Sequence, residues 1–273
     1  MIHHGRNTEG ISPAAMTGIV AMVLAFILSL FHVGLAIIPL SVFVFLCLAA
    51  PFFPSGGFFL PVLSRGHTGR PVVSLTFDDG PDPETTGPLL RLLKQHTVTA
   101  AFFVTGEKAA LHGELIRDIL EHGHDIGNHS YRHDPLLMLR CSKTLYREIE
   151  STQSLLRRFR ISPVAFRPPV GITNPKLAPV LSQQGLYCAT FTCRAFDGGN
   201  RYLQGLSARI LKKVKPDDVI LLHDVRPKGT MNTEGFLREV DLILLGLKSR
   251  GLQVAPLAEL LGRPVMVRIQ DDE

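Results

Sequence analysis

Thr76-Phe77-Asp78-Asp79-Gly80 sets two carboxylates side by side at the end of a short apolar run, Val72-Val73-Ser74-Leu75, which Gly80-Pro81 then terminates. Such a run reads as a buried β-strand. Ionised carboxylates are kept at the edge of a core only where a partner charge or a metal compensates their lost hydration. Further along, His129-Ser130-Tyr131-Arg132-His133 supplies two imidazoles in an i, i+4 relation. One Asp plus His-x-x-x-His offers three ligands to a divalent metal and leaves room for water. The second Asp is then free to act as a base on that water. The bland alternative is an Asp pair that caps a helix and two unrelated surface histidines; two specific motifs in one chain disfavour it.

These residues need elements to hold them. Short apolar strands are predicted over Val72–Phe77, Ala100–Val104, Asp125–Gly127, Ala165–Arg167, Tyr187–Thr192, Val219–His223 and Gln253–Ala255. Amphipathic helical patterns fall between them, over Thr86–His96, Glu107–His122, Ser142–Phe159, Pro175–Gln184, Leu203–Val214 and Glu234–Arg250. The alternation implies an α/β fold with a parallel sheet, and about seven strands fit a distorted (β/α) barrel. In such folds chemistry gathers at the carboxyl ends of strands. Asp78, Asp79, His129, Arg167, Asp197 and His223 all fall there. Phe166-Arg167-Pro168-Pro169-Val170-Gly171 reads as a rigid turn led by an arginine, and Ile220-Leu221-Leu222-His223-Asp224 as a buried strand ending in His-Asp. Taken singly, the first is an ordinary structural turn and the second a satisfied core histidine.

The chain of 273 residues fits one large domain, or one domain plus an appendage. Its net charge of +5 comes without any Lys/Arg run longer than two, so no nucleic-acid footprint is argued. Of the 4 cysteines, Cys47 lies in an apolar segment, and Cys141, Cys188 and Cys193 form no CxxC pair. Neither a disulfide framework nor a structural zinc site follows, and free thiols point to a reducing compartment. From Ala14 to Pro54 there is no Asp, Glu, Lys or Arg, and His32 is the only potentially charged side chain. A stretch of about 60 Å of helix exceeds one bilayer crossing of about 20 residues. Two spans fit, near Ala15–Leu30 and Leu35–Ala50, turning at His32-Val33-Gly34, with Pro39 kinking the second or marking its start. A cleaved signal peptide is the alternative, although its apolar region should be only about 7–15 residues. Arg6, Arg65 and Arg70 lie outside both spans, which places the tail and the globular part on the cytoplasmic face of the membrane. The expected division is a tail over 1–13, a membrane anchor over 14–54, a Pro/Gly-rich linker over 55–70 and a catalytic domain over 71–273.

The order of motifs, TFDDG, then H-S-x-x-H, then R-x-P-x-G, then a late Asp, then L-x-H, resembles the polysaccharide deacetylases, the NodB-homology group of carbohydrate esterase family four. The resemblance implies that Asp79, His129 and His133 hold one divalent metal, Zn²⁺ first and Co²⁺, Mn²⁺ or Ni²⁺ as alternatives. It implies Asp78 as general base, His223 as general acid for the amine, Arg167 as the cation that orients Asp78, and Asp197 as the group that orients His223. A backbone N–H at about Val170 would stabilise the oxyanion, and Leu221 would wall the acyl pocket. Two positions depart from the family pattern. Val170 stands where many members carry an aromatic residue. The usual D-x-x-D-W is here Arg194-Ala195-Phe196-Asp197-Gly198, and the chain contains no Trp, so no aromatic groove wall is expected.

The resulting expectation is a membrane-anchored, metal-dependent hydrolase. It would remove an N-acetyl or N-formyl group from an amino sugar of a polysaccharide or of a lipid-linked saccharide. Its partners would be that N-acylated glycan and membrane lipid, with no nucleic acid. The competing readings are a catalytically inactive carbohydrate-binding or assembly protein and an O-acetyl esterase that uses the same site.

Overall fold

The structure, a computed structural model, describes residues 11–53 and 55–270. The strands are β1 (Val62–Leu63), β2 (Val72–Asp78), β3 (Ala101–Val104), β4 (Asp125–Asn128), β5 (Ile161–Pro163), β6 (Ala165–Phe166), β7 (Tyr187–Ala189), β8 (Cys193–Arg194), β9 (Val219–His223), β10 (Gln253–Val254) and β11 (Met266–Arg268). The helices are α1 (Pro13–Ser29), α2 (Ile37–Ala49), α3 (Thr86–Gln95), α4 (Gly106–Leu111), α5 (Gly113–Glu121), α6 (Ser142–Arg157), α7 (Leu177–Gln183), α8 (Leu206–Lys213), α9 (Thr233–Ser249) and α10 (Leu257–Leu261).

The main sheet runs β1-β7-β6-β4-β3-β2-β9-β8, with every neighbouring pair parallel. Its two end strands do not pair, so the barrel is an open, curled half. β10 adds in parallel to the start of β2, and β11 pairs antiparallel with β5. β2 is buried along its whole length, as a parallel strand covered on both faces must be. Its two internal hydroxyls are satisfied: Ser74 donates to the Ala255 carbonyl and Thr76 to that of Ile220. Leu89, Leu90 and Leu93 of α3, Ile116 and Ile119 of α5, and Phe236, Val240 and Ile243 of α9 close one face in a single apolar cluster with β2, β3 and β9. The polar ends of β2, β4 and β9 meet at one rim, because their registers align Asp78 with His223 and Val104 with Asn128.

Three local expectations change. The helix expected over Glu107–His122 is two helices, broken at His112, whose φ of −127° and ψ of 53° leave the helical region just before Gly113. The strands β1, β5, β8 and β11 carry only two or three residues each, too few to show a period in sequence. The segment 55–70, expected as a linker, is bound to the domain. β1 pairs with β7, and Phe59 and Leu60 are buried.

α1 and α2 form a helical hairpin. Ala21 and Ala25 of α1 are buried, and the Phe43 ring of α2 lies 3.1 Å from where a Cβ on Gly18 would stand. Small residues allow that close approach. Pro39 falls in the first turn of α2, where its missing N–H costs nothing. Val33–Phe52 is long and apolar enough to cross a bilayer, with a mean hydropathy of 2.6, and Pro13–Ser29 is a shorter apolar helix of 17 residues. At the base of the hairpin, the Ala14 N–H donates to the Phe58 carbonyl. Ala14, Cys47 and Ala50 there join the apolar cluster formed by Phe59, Leu60, Met138, Ile149 and Leu181.

Candidate active site

Asp78 ends β2 and Asp79 begins the loop, and the chain separates them by a change of backbone region. Asp79 has φ 69°, so its side chain leaves the direction that strand alternation would give it. Asp78 is buried and its Oδ1 accepts from Arg167 Nη1 at 2.7 Å. Arg167 follows β6 and is fully buried. All three of its nitrogens are used: Nη1 also donates to Thr76 Oγ1, Nε to the Ala189 carbonyl and Nη2 to the Thr190 carbonyl. Its guanidinium lies 3.9 Å from the centroid of Phe103. Gly127 makes that packing feasible, since a Cβ there would stand 2.5 Å from the Phe103 ring. A buried arginine with each nitrogen engaged fixes one oxygen of Asp78 and leaves Oδ2 free, 3.7 Å from His129 Nε2.

Asp79 turns the other way. Its Oδ1 is 3.2 Å from His129 Nε2 and 3.1 Å from His133 Nε2, yet it is buried and makes no hydrogen bond. Burial pushes this carboxyl up, but the imidazoles of His129, His133 and His223 outweigh it and hold the group well below the usual carboxylate range. His129 follows β4, and its Nδ1 is 2.7 Å from the Arg167 carbonyl oxygen. Donation there from Nδ1–H leaves the lone pair on Nε2, toward Asp79. The i, i+4 spacing to His133 is made by a loop rather than a helix turn, with Ser130 at φ 63° and His133 at φ 53°. The Asp79 oxygen and the two imidazole nitrogens lie within 4.8 Å of one another. A buried carboxylate oxygen without a donor is costly unless a cation faces it. One carboxylate and two imidazoles, one of them braced from behind by a backbone carbonyl, form a donor set suited to a divalent ion of the zinc type.

Across the rim His223 ends β9, and its Nδ1 is 2.8 Å from Asp197 Oδ2. Burial lowers the His223 pKa, but Asp197 foremost, with Asp79 and Asp78, pushes it up to about 9. Asp197 itself is buried and shifted down, because the bond and charge of His223 outweigh its desolvation. The loop that carries it is tightly coiled, with Phe196, Gly198, Gly199 and Asn200 all at positive φ. Asn200 Nδ2 pins that loop to the carbonyls of His223 and Val225.

A cavity of about 610 Å³ contains these groups, and Val170 and Leu221 border it. Val170 has φ 52° and ψ 10°, a genuine outlier for a β-branched residue and the kind of backbone strain that concentrates at working sites. Eight of the nine residues singled out from the sequence thus line one cleft, Asp78, Asp79, His129, His133, Val170, Asp197, Leu221 and His223, and the ninth, Arg167, is buried behind Asp78 and bonded to it. Sequence reasoning missed Phe191, Phe196 and Arg194, which also line it. The absence of tryptophan had implied a cleft without aromatic walls. That expectation is corrected, since Phe196 stands 63% exposed at the rim. Asp224 is another omission. Buried behind His223, it accepts from Thr85 and Thr86 Oγ1 at 2.6 Å each, and burial pushes its carboxyl up to about 6.

Residues 65–189 match the family model described as polysaccharide deacetylase. The peptidoglycan-N-acetylglucosamine deacetylase of Bacillus cereus is 29% identical over 193 residues, covering 70% of this chain and 88% of that protein. The chitooligosaccharide deacetylase of Sinorhizobium fredii is 31% identical over 184 residues, covering 66% of this chain and 85% of that one. Among solved structures, the Bc1960 peptidoglycan N-acetylglucosamine deacetylase superposes with a TM-score of 0.67 at 28% identity, covering 75% of this chain and 94% of its own. The half-barrel, the ordered motifs along it and relatives matched over most of their length lead to one assignment: the chain belongs to the polysaccharide deacetylase family.

Proposed function

We propose that this protein is a membrane-anchored, metal-dependent deacylase that removes an N-acetyl or N-formyl group from an amino sugar of a glycan, polymeric or lipid-linked. The observation that carries this reading is the convergence on one cleft of a carboxylate fixed by a buried arginine, a donor-free carboxylate facing two imidazoles, and an imidazole fixed by a second carboxylate. Asp79, His129 and His133 would hold one divalent ion, Zn²⁺ first and Co²⁺, Mn²⁺ or Ni²⁺ as alternatives, which when bound acidifies water and polarises an acyl carbonyl.

The chain's own groups account for the proton movements. Asp78 Oδ2, the oxygen that Arg167 leaves free, takes the proton of the attacking water. The backbone N–H of Val170 donates to the oxyanion that develops on the acyl oxygen. Leu221 walls the acyl pocket and keeps it small. His223, its Nδ1 held by Asp197, gives a proton from Nε2 to the departing nitrogen as the C–N bond breaks. A carboxylate and a free amino sugar leave, and the amine needs that proton because it is a poor leaving group. Release of acetate or formate by purified full-length protein from free, polymeric and lipid-linked amino sugars tests the reading. Protein with full metal content that releases neither from any of them would overturn it.

Metal content gives a separate check. His129→Ala/His133→Ala protein should lose its bound divalent ion, because a single carboxylate remains. Normal stoichiometry by elemental analysis would remove these residues as ligands. The pH profile checks the acid. Asp197 raises the His223 pKa, so removing its charge in Asp197→Asn lowers it. Since His223 must be protonated to act, the alkaline limb of kcat/KM should move to lower pH in that variant, and an unmoved limb would dissociate Asp197 from the acid.

The hairpin α1–α2, apolar and widely exposed on both helices, supports a two-span anchor with the domain on the cytoplasmic face. Arg6 and Thr8 of the tail lie outside the described residues. Cysteines introduced near Thr8 and in the turn at 32–34, with native cysteines removed, should react differently with an impermeant reagent on intact cells. The turn should label and the tail should not. Labelling of the tail alone would invert the orientation and make an exported glycan the substrate.

A further inference from the structure

Arg194 occupies the β8 position where the family pattern D-x-x-D-W begins with an acid. The sheet register aligns Arg194 with Leu221 and Leu221 with Thr76, and two residues further along the same strands align His223 with Asp78. Residues two apart on a strand share a face. Arg194 therefore stands on the catalytic face, one step behind the row that carries the base and the acid. Its guanidinium is 4.1 Å from the centroid of Phe196 and 5.4 Å from that of Phe191, and Lys213 Nζ is 5.0 Å from Phe196. Among the described residues neither Arg194 nor Lys213 has a carboxylate partner.

The cleft's own carboxylates are committed elsewhere. Asp78 is taken by Arg167, Asp197 by His223 and Asp79 by the two imidazoles. Glu107, on α4, is the one that remains among those lining the cavity. Lys108 is spent on the Asp79 carbonyl, while Arg132 and Lys228 add further positive charge to the lining. A guanidinium seated against aromatic rings is oriented and partly dehydrated, and its fork of donors matches a planar or tetrahedral oxyanion. Burial also lowers the Arg194 pKa, which reflects the same incomplete hydration.

We propose that Arg194, oriented by Phe191 and Phe196, is a substrate-selecting residue that binds an oxyanion substituent, carboxylate or phosphate, carried by the N-acylated sugar. The inference rests on the deacylase reading and narrows it from neutral glycans to acidic ones. An acidic substituent would give the Arg194 guanidinium the anionic partner it lacks, whereas a neutral sugar would leave it partly buried and without one.

The test uses full-length, metal-loaded protein and three tetrasaccharides: N-acetylglucosamine alone, the same with N-acetylmuramic acid, and the same with a terminal 1-phosphate. Wild type should favour one or both acidic forms, and added salt should weaken that preference. Arg194→Gln should raise KM for the favoured acidic form by about tenfold or more, as loss of a charge-assisted contact implies, and leave kcat and the neutral substrate nearly unchanged. Arg194→Lys, which keeps the charge and loses the fork, should fall between. The carboxylate and phosphate arms distinguish the source of the anion. Equal kcat/KM for neutral and acidic substrates, or an equal loss on both in Arg194→Gln, would overturn the proposal and reduce Arg194 to a support for Phe196. Calorimetric binding separates this outcome from failure of the deacylase reading. Arg194-dependent binding of an acidic tetrasaccharide without acyl release would sink the enzyme and keep the subsite, and absence of any binding or turnover would overturn both.

Discussion

Asp78→Asn protein should keep its metal and its fold but release acyl groups about 10²–10⁴-fold more slowly, the span that general-base catalysis usually supplies. The amide fills the same space, and its oxygen can still accept from Arg167 Nη1, which holds Asp78 at 2.7 Å. It cannot accept the proton of water. The expected signature is a fall in kcat with unchanged divalent-ion stoichiometry, together with a lower melting transition because the buried Arg167 guanidinium loses its counter-charge. Activity within about tenfold of wild type would remove Asp78 as the base. The contrast with the histidine variants is informative, because those should lose metal first and activity in consequence.

Arg167→Leu should cost about 3–5 kcal/mol of stability, because it strands the buried Asp78 carboxylate without its partner. The side chain is fully buried, so water cannot take its place. The carbonyls of Ala189 and Thr190 would also lose their donors. The double variant Arg167→Leu/Asp78→Asn should recover part of that loss, since the uncompensated charge is gone. Urea titration of the four proteins measures the coupling. A single-variant loss below about 1 kcal/mol would mean that the pair behaves like an exposed one and that its burial is overstated.

Much of the fold was legible because β2, β3, β4 and β9 are apolar runs bounded by turn residues and α3, α5, α6 and α9 have one apolar face. The short strands were not. β8 is two residues whose pairing to β9 is decided by the distant Ile220 and Leu221, and no local pattern encodes that. In the site, side chains with a distinctive chemistry stood out. The Asp pair, the two histidines, and the His at the end of an apolar strand each clash with their local surroundings unless they have partners. Features of the backbone did not stand out. Nothing in the letters assigns Val170 to φ 52° or makes His129 and His133 meet through a loop. Nor do the letters show that Phe196 stands exposed at the rim, on a loop with positive φ at Phe196, Gly198, Gly199 and Asn200.

The joint at the base of the hairpin restricts how the barrel can sit relative to α1 and α2. A free coil of the sixteen residues 55–70 would wander over roughly 20–24 Å. Here that coil is fastened at intervals, by the Ala14–Phe58 hydrogen bond, the buried Phe59 and Leu60, β1 against β7, and the Gly66 and Thr68 N–H bonds to Asp217. Hairpin and barrel are therefore joined by packed contacts rather than by a free tether. On the anchored reading proposed above, the cleft would not sweep a volume of solution on a leash; it would stay at a set height above the lipid, like a tool clamped to a bench. The glycan would then have to be delivered to that height, and a sugar attached to a carrier in the same membrane would arrive there by diffusion in two dimensions.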